Sequence, residues 1–345
     1  RIFGWREVLQ ILGMVTVLSA TFFAAISGSA PATTAAIGGI MIPEMEKHGY
    51  RRPFAAGLAT AAGPIGQMIP PSIPMVIWGV VAEESIARLF LAGILPGVLI
   101  AIGLMGVCYF TARREGLARE SRRSTGAELR QALAEGKWAL AAPLIILGGI
   151  YGGVFTPTEA SAVGVVYGLL VGLVVYRELH PRDLPGVFLE AMRTTAIVTF
   201  IIATAAVFGW LVAIEQLPGR VAATLLGVSD NPVVILLMLN LLLLFIGAVM
   251  DNIAAMIILG GVLTTVGRQL GMDPTHLGAM VVINFAIGMA TPPFGYSLFV
   301  GSAISKESVE RIARAMGPLL LVEVVVLLLV TFVPGLTLWL PGWLG

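Results

Sequence analysis

The stretch IGQMIPPSIPMVIWG, residues 65–79, places three prolines inside an apolar run. Proline removes a backbone donor and clashes with the preceding turn, which costs roughly 3 kcal/mol or more inside a helix. In hydrocarbon the cost is sharper, because the freed carbonyls find no water. A span broken here needs something else to satisfy its backbone.

The flanking sequence shows that hydrocarbon is the right solvent to consider. Hydrophobic residues make up 57% of the 345 residues and charged residues 12%, against roughly 25% charged in soluble domains. LFLAGILPGVLIAIGLMGVCYF (89–110) and LLLVEVVVLLLVTFVPGLTLWL (319–340) are long enough to cross a core of about 30 Å. These features predict an all-α polytopic membrane protein. A net charge of +1 gives no reason to invoke nucleic acid. Cys108 is the single cysteine, so no internal disulfide can form. The opening RIFGWREVLQ has neither an initiator methionine nor a signal-peptide pattern, which predicts that N-terminal spans are missing from this chain.

Apolar segments fall at about 7–26, 32–43, 54–82, 89–112, 138–155, 159–176, 187–214, 232–250, 252–269, 274–304 and 315–340. Two pairs, 7–26 with 32–43 and 232–250 with 252–269, are joined by almost no polar sequence. A complete crossing usually ends in a loop that reaches water. Both pairs therefore read as re-entrant hairpins. The loops at 44–53, 113–137, 177–187 and 305–314 carry nearly all the Lys and Arg, whereas the opposite side receives only Arg88, Arg220 and Arg268. That bias places the basic loops in the cytoplasm. Charge alone does not separate a re-entrant hairpin from two full crossings; the apolar joints carry that distinction.

A second proline break, IGMATPPFGYSLFVG at 287–301, aligns with the first at an offset of 222. Pro70-Pro71 falls on Pro292-Pro293, Gly79 on Gly301 and Pro96 on Pro318. Hairpin, broken span and closing helix thus occur twice, in opposite orientations. The expected organisation is a first inverted repeat at 1–112 (hairpin 7–43, broken helix 54–82, closing helix 89–112) and a cytoplasmic basic loop at 113–137. Scaffold helices at 138–214 follow, then a second repeat at 215–345 (hairpin 232–269, broken helix 274–304, closing helix 315–340). Inverted repeats with helices interrupted at matching positions point to a substrate or ion site at the midplane of a secondary transporter. A lone Pro-Pro is more often a simple kink; its repetition weakens that reading.

Broken spans have chemistry to offer. Freed carbonyls at Gly66–Pro71 and Met289–Pro293 are oxygen ligands suited to a hard cation such as Na⁺, and half-helices beginning near Ser72 and Phe294 present positive ends to a carboxylate. The first hairpin tip, ISGSAPATTAAIGG, adds Ser27, Ser29, Thr33 and Thr34; the second, IGAVMDNIAAM, adds Gly247, Asp251 and Asn252. The hydroxyls can equally bond their own helix or a neighbouring one. An acid at the depth of Asp251 is a functional candidate by default. It could also be neutral or cap the following helix, and capping does not exclude ligation.

Other polar residues read more plainly. Glu159 belongs to the first turn of a helix, Asn240 and Asn284 bond between helices, and His48, His180 and His276 fall in loops. Glu323 faces other protein or sits shallow. The basic stretch RREGLARESRRSTGAELRQALAEGK, 113–137, reads as an amphipathic segment near lipid head groups.

At these same residues the chain resembles a known family. GGIMIPEMEKHGYRRPFAAGLATAAGPIGQMIPPSIPMVIWG, GVFTPTEASAVGVVYGLLVGLVVYREL, TTAIVTFIIATAAVFGW and MDNIAAMIILGGVLTTVGRQLGMDPTHLG with INFAIGMATPPFG are similar to the large membrane subunit of tripartite ATP-independent periplasmic (TRAP) transporters, the dicarboxylate-permease type. The resemblance runs through nearly the whole chain. It implies an elevator-type, Na⁺-driven symporter in the bacterial inner membrane, with Na⁺ as coupling ion and no organic cofactor. Implied partners are a small four-span membrane subunit, a periplasmic solute-binding protein, membrane lipids and an organic carboxylate such as a C4-dicarboxylate or sialic acid.

By position, the resemblance puts sodium at Ser27, Gly28, Ser29 and Ala30 with Gly66 and Pro70, and at Gly247, Met250 and Asp251 with Thr291 and Pro292. Substrate would touch Ser29, Thr33, Ser72, Asp251 and Asn252. Pro31 in the first tip departs from what substrate choice explains.

Three other classes remain to be weighed. An intramembrane enzyme needs an activated nucleophile or a metal set, and the chain has no HExxH and no paired intramembrane aspartates. A passive scaffold does not explain the doubly broken repeat. A stand-alone Na⁺/carboxylate transporter of the same architecture, needing no binding protein, is the alternative. No GxxxxGK[ST] loop is present, so ATP hydrolysis is not expected.

Overall fold

The computed structural model describes residues 12–116, 126–216 and 231–344, with scattered positions between 219 and 229. The chain divides into two compact units, one built from residues 1–123 and 217–345, the other from 124–216.

The first unit holds both repeats. Helix α1 (Leu12–Ser27) turns into α2 (Ala30–Lys47) through Gly28, whose φ of +62° lies in the left-handed region. A Cβ there would also sit 2.7 Å from the Pro71 carbonyl oxygen, so glycine is required twice over. Pro31 lies in the first turn of α2, where the missing amide had no partner to lose. The span that follows is broken into α3 (Arg52–Ala62), α4 (Ile65–Met68) and α5 (Ile73–Ala82), with a bend of 43°. Closing helix α6 runs from Ile86 to Glu115.

The second repeat follows the same order. Helices α10 (Pro232–Val249) and α11 (Asn252–Gln269) meet at Met250-Asp251. The span behind them breaks between α12 (Pro274–Gly288) and α13 (Tyr296–Ser305). A short α14 (Val309–Ala315) and α15 (Gly317–Phe332), set at 63° to each other, close the repeat, and α16 (Gly335–Leu344) ends it. Both proline pairs, Pro70-Pro71 and Pro292-Pro293, are cis.

Two expectations need correction. The single closing helix at 315–340 divides at Val333-Pro334, because proline cannot continue the hydrogen-bond ladder. His276 is not in a loop. It sits in the first turn of α12, buried, with Nδ1 2.7 Å from the Thr337 hydroxyl.

Packing interlocks the two halves. Helix α5 lies against α11 and α12, while α13 lies against α2 and α3. The far half of each broken span therefore packs on the other repeat. Small residues allow this approach: positions 55–62 of α3, AAGLATAA, are all buried. Close backbone packing of small residues is the main way helices associate where lipid removes the hydrophobic driving force. Leu58, Ile65, Met68, Leu104, Ile283 and Leu298 fill the core between them.

The second unit is a three-helix body: α7 (Gly126–Tyr151), α8 (Pro157–Leu170, running into a π-turn at Val171–Val175) and α9 (Leu184–Ile214). Thr156 and Glu159 cap α8 reciprocally, as the first-turn acid suggested. Tyr167 and Tyr176 donate to the Trp138 and Glu135 carbonyls at 2.8 and 2.7 Å, tying α8 to α7. Part of the basic stretch is helical, since α6 reaches Glu115 and α7 starts at Gly126; positions 117–125, like 7–11 of the first apolar segment, lie outside the described residues.

Among the described residues, four helices are long and apolar enough to cross a membrane: Ile86–Glu115, Pro157–Val175, Leu184–Thr204 and Pro232–Val249. The count reaches six if each bent pair is one span.

Candidate functional site

The offset between the proline breaks extends to the hairpin tips. Ser29 is the N-cap of α2 and Asp251 the N-cap of α11, separated by the same 222 residues that separate Gln67 from Met289. Each repeat therefore brings one helix N-terminus and one unwound segment together.

At the first tip, hydroxyls and carbonyls gather tightly. Ser27 Oγ lies 2.8 Å from Thr33 Oγ1, and Thr33 Oγ1 donates to the Ser29 carbonyl at 2.9 Å. The Gly28 carbonyl accepts from the Ile73 amide at 3.2 Å, so the tip covers the start of α5. Gly66 faces the same cluster, and a Cβ there would stand 2.7 Å from the Ser29 carbonyl oxygen. Ser27, Gly28, Ser29, Ala30, Thr33 and Gly66 are thus one neighbourhood. Ser72 is buried but its hydroxyl is used internally: it donates to the Gln67 carbonyl at 2.6 Å and accepts from the Met75 amide at 3.3 Å. Pro71, rather than Pro70, is the proline whose carbonyl approaches Gly28. Thr34 Oγ1 is buried without a hydrogen-bond partner.

The second tip is built differently. Gly247 and Gly288 pack backbone to backbone, and a Cβ on Gly288 would lie 2.8 Å from the Gly247 Cα. Asp251 is exposed, and its Oδ1 accepts from the amides of Ile253 and Ala254 at 3.0 and 3.3 Å. Capping of the following helix is therefore present, and the other carboxylate oxygen has no protein donor among the described hydrogen bonds. Thr291 spends its hydroxyl on the Ile287 carbonyl at 2.7 Å. Across the break, the Met289 carbonyl accepts from the Ser297 amide at 2.9 Å and the Thr291 carbonyl from the Gly295 amide at 3.1 Å. Met250 is 40% exposed, and Pro292 is half-buried.

One side chain joins the two neighbourhoods. Gln67, from the first break, accepts from Asn252 Nδ2 of the second tip at 2.8 Å, and its own Nε2 lies 3.4 Å from the Met289 sulfur in the second break. Gln67 and Met289 are repeat-equivalent positions, so the contact falls where the two halves meet. Sequence reasoning quoted Gln67 without singling it out. The available signal was its polarity within AAGPIGQMIPP, where it is the lone amide. Asn240 and Asn284 do bond between helices, at 2.7 Å from Asn284 Nδ2 to Asn240 Oδ1, with Thr331 completing that buried set. They stand apart from the tips.

The arrangement offers two unlike ends. Ser29 makes no side-chain cap on α2, so that N-terminus keeps its positive end uncovered by a side chain, whereas the α11 N-terminus is capped by a carboxylate. Among the described residues no cluster of three or more His, Cys, Asp or Glu is positioned for a metal ion; the oxygens here are carbonyls, hydroxyls and the Asp251 carboxylate.

The sequence model of the "Tripartite ATP-independent periplasmic transporter, DctM component" family matches residues 2–336. The chain is 42% identical over 331 residues to the isethionate TRAP transporter permease protein DctMQ of Oleidesulfovibrio alaskensis, covering 96% of this chain and 52% of that protein. It is 42% identical over 337 residues to the C4-dicarboxylate TRAP transporter large permease protein DctM of Pseudomonas aeruginosa, covering 97% of this chain and 78% of the relative. With the sialic acid TRAP transporter large permease protein SiaM of Vibrio cholerae it shares 41% over 333 residues, 96% of this chain and 77% of the relative. The chain thus spans about half the length of the first relative and about three quarters of the other two. Apolar helices, a twice-broken repeat and a match over residues 2–336 together place this membrane protein in the DctM component family of tripartite ATP-independent periplasmic transporters, which are permeases and not enzymes.

Proposed function

We infer that this chain is the large permease subunit of a secondary transporter that moves an organic anion into a bacterium across its inner membrane, driven by Na⁺. The observation that carries this reading is the Asn252–Gln67–Met289 bridge, which draws one tip and both breaks to one buried point. On this reading the two helix pairs are re-entrant. The Ser27–Ala30 tip with Gly66 and Pro70 holds one cation, and Gly247, Met250 and Asp251 with Thr291 and Pro292 hold another. Anion binds between the tips, near Ser29, Thr33, Ser72, Asp251 and Asn252.

The physical rationale is mutual compensation. An isolated carboxylate in low dielectric is very unfavourable, and adjacent cations and an uncapped helix N-terminus offset that cost. Cations organise the tips, the anion follows, and the hairpin-and-broken-span unit carries both across as an elevator. A periplasmic binding protein delivers the anion and a small four-span subunit packs beside the permease, as the relatives' membership in tripartite systems supports. Those relatives are named for isethionate, C4-dicarboxylate and sialic acid, which supports an organic acid as the solute class.

Reconstituted uptake tests the reading. Proteoliposomes holding the full-length protein and its small subunit should accumulate one of a panel of organic acids only with both an inward Na⁺ gradient and the cognate binding protein. Uptake without the binding protein would replace this reading with a stand-alone transporter. Uptake indifferent to Na⁺ would remove the coupling ion.

A further inference from the structure

Three of the four basic segments that set the orientation in sequence, at 44–53, 113–137 and 305–314, contribute arginines in the folded chain to a single cavity of about 640 Å³. Arg51 enters it from the α2–α3 loop, Arg114 from the last turn of α6, and Arg311 and Arg314 from α14. Glu115 is the only acid among the lining residues. Packing of α14 on α3 brings arginines of both repeats to the wall of one cavity.

Part of this charge is already matched. Arg51 pairs with Glu115, and Arg311 with Glu307 at 3.2 Å. Arg114 and Arg314 form no direct ion pair among the described residues, although Glu310, one turn before Arg314 in α14, attracts it. The remaining wall is apolar, including Phe54 and Pro318. Like charges held together around a hollow are unfavourable unless something negative enters. The cavity lies at the C-terminal end of α6, a helix long and apolar enough to cross a membrane, and it joins a basic rim to an apolar wall.

We propose that this cavity binds the headgroup of an anionic phospholipid, with the phosphate on Arg114 and Arg314 and the glycerol and upper acyl chain against Phe54 and Pro318. Guanidinium groups suit phosphate because their planar fork gives paired, charge-assisted hydrogen bonds. Basic pockets between helix ends on the cytoplasmic side are favourable places for such headgroups. A soluble phosphate ester satisfies the arginines but leaves the apolar wall bare, which is why a lipid is the better occupant. This site is separate from the tips and breaks and does not depend on which solute is carried.

Native mass spectrometry of the delipidated full-length transporter, titrated with dioleoyl phosphatidylglycerol, dioleoyl phosphatidylcholine or sn-glycerol 3-phosphate, tests the proposal. Wild type should bind one phosphatidylglycerol about tenfold more tightly than phosphatidylcholine, and more weakly at 500 than at 100 mM ammonium acetate. The R114Q/R314Q variant should lose that preference, and R114K/R314K should keep most of it. The control R177Q/R182Q removes the same charge elsewhere and should keep all of it. Equal binding of the two lipids by wild type, equal loss in the control, or displacement of phosphatidylglycerol by stoichiometric glycerol 3-phosphate would overturn the proposal. Because the lipid preference and its salt dependence are read on wild type, misfolding of a variant does not shield the idea from refutation.

Discussion

The two halves share an order of elements but not a state of packing. In the first repeat α1 lies along α2, the tip hydroxyls bond one another, and the Gly28 carbonyl reaches across to the Ile73 amide. In the second, α10 and α11 barely touch; α10 lies on α12 and α11 on α5. Met250, Asp251, Phe294 and Tyr296 around the second tip and break are exposed. Close glycine contacts are thus present in both halves, and the first adds hydroxyl bonds across its tip. The lesson is that inverted repeats preserve where a helix breaks without preserving what closes the break. For a transporter this inequality is expected of any single conformation, since one side is shut while the other is accessible.

The largest effect should come from the unlike caps. Asp251→Ala should abolish Na⁺-driven uptake while the transporter still assembles, and it should also lose about 1 kcal/mol of helix capping. Ser29→Ala, at the equivalent position, removes no side-chain cap and should not change stability measurably. Asp251→Asn retains an acceptor for the Ile253 and Ala254 amides and separates the two roles. Full sodium-coupled uptake by that variant would reduce Asp251 to a cap.

Glycine contacts come next. Gly66→Val and Gly288→Val each push a side chain into backbone, at the Ser29 carbonyl and the Gly247 Cα. Each should cost about 1–3 kcal/mol or more, seen as an earlier thermal unfolding in detergent. Gly39→Val meets nothing within 4 Å and should melt with wild type. Near-equal melting of all three would show that the breaks are looser than these contacts imply.

The bridge between halves should be the next smaller effect. Gln67→Leu leaves the buried Asn252 amide without its acceptor, a loss of about 1–3 kcal/mol. A double-mutant cycle with Asn252→Ala should return a coupling of about 0.5–3 kcal/mol. Additive losses would mean that the halves do not communicate through this pair.

Hydroxyls give the finest comparison. Thr33→Val removes contacts to Ser27 and to the Ser29 carbonyl and should cost about 1 kcal/mol. Thr291→Val removes only a bond to a carbonyl of its own helix and should fall within about 0.5 kcal/mol of wild type. A reversed order would contradict the assignment of the hydroxyl-held break to the first repeat.

Much of this architecture was legible from residues. Proline pairs mark the breaks because a missing amide acts locally, whatever surrounds it. The joint at Met250-Asp251 was read to within a residue because two apolar runs flank one acid. Glu159 was legible as a first-turn acid, and the structure adds that it caps the helix reciprocally with Thr156. Gln67 was not legible as a bridge, since nothing near it in sequence names Asn252 or Met289 as partners. The splaying of α10 from α11 was equally hidden, because a pair joined by a tight turn reads as a hairpin whether or not its arms touch.

Sequence by itself determined the apolar character of the helices, the places where spans break and the doubling of the whole pattern. All of these follow from composition, backbone chemistry or periodicity, which act over a few residues or over simple repeats. Tertiary structure alone decided that α5 packs on α11 while α13 packs on α2, that one glutamine joins the halves, and that arginines from one loop and two helices line one cavity. Those are contacts between residues about 60 to more than 250 positions apart, and which polar group meets which is settled only when distant helices have packed.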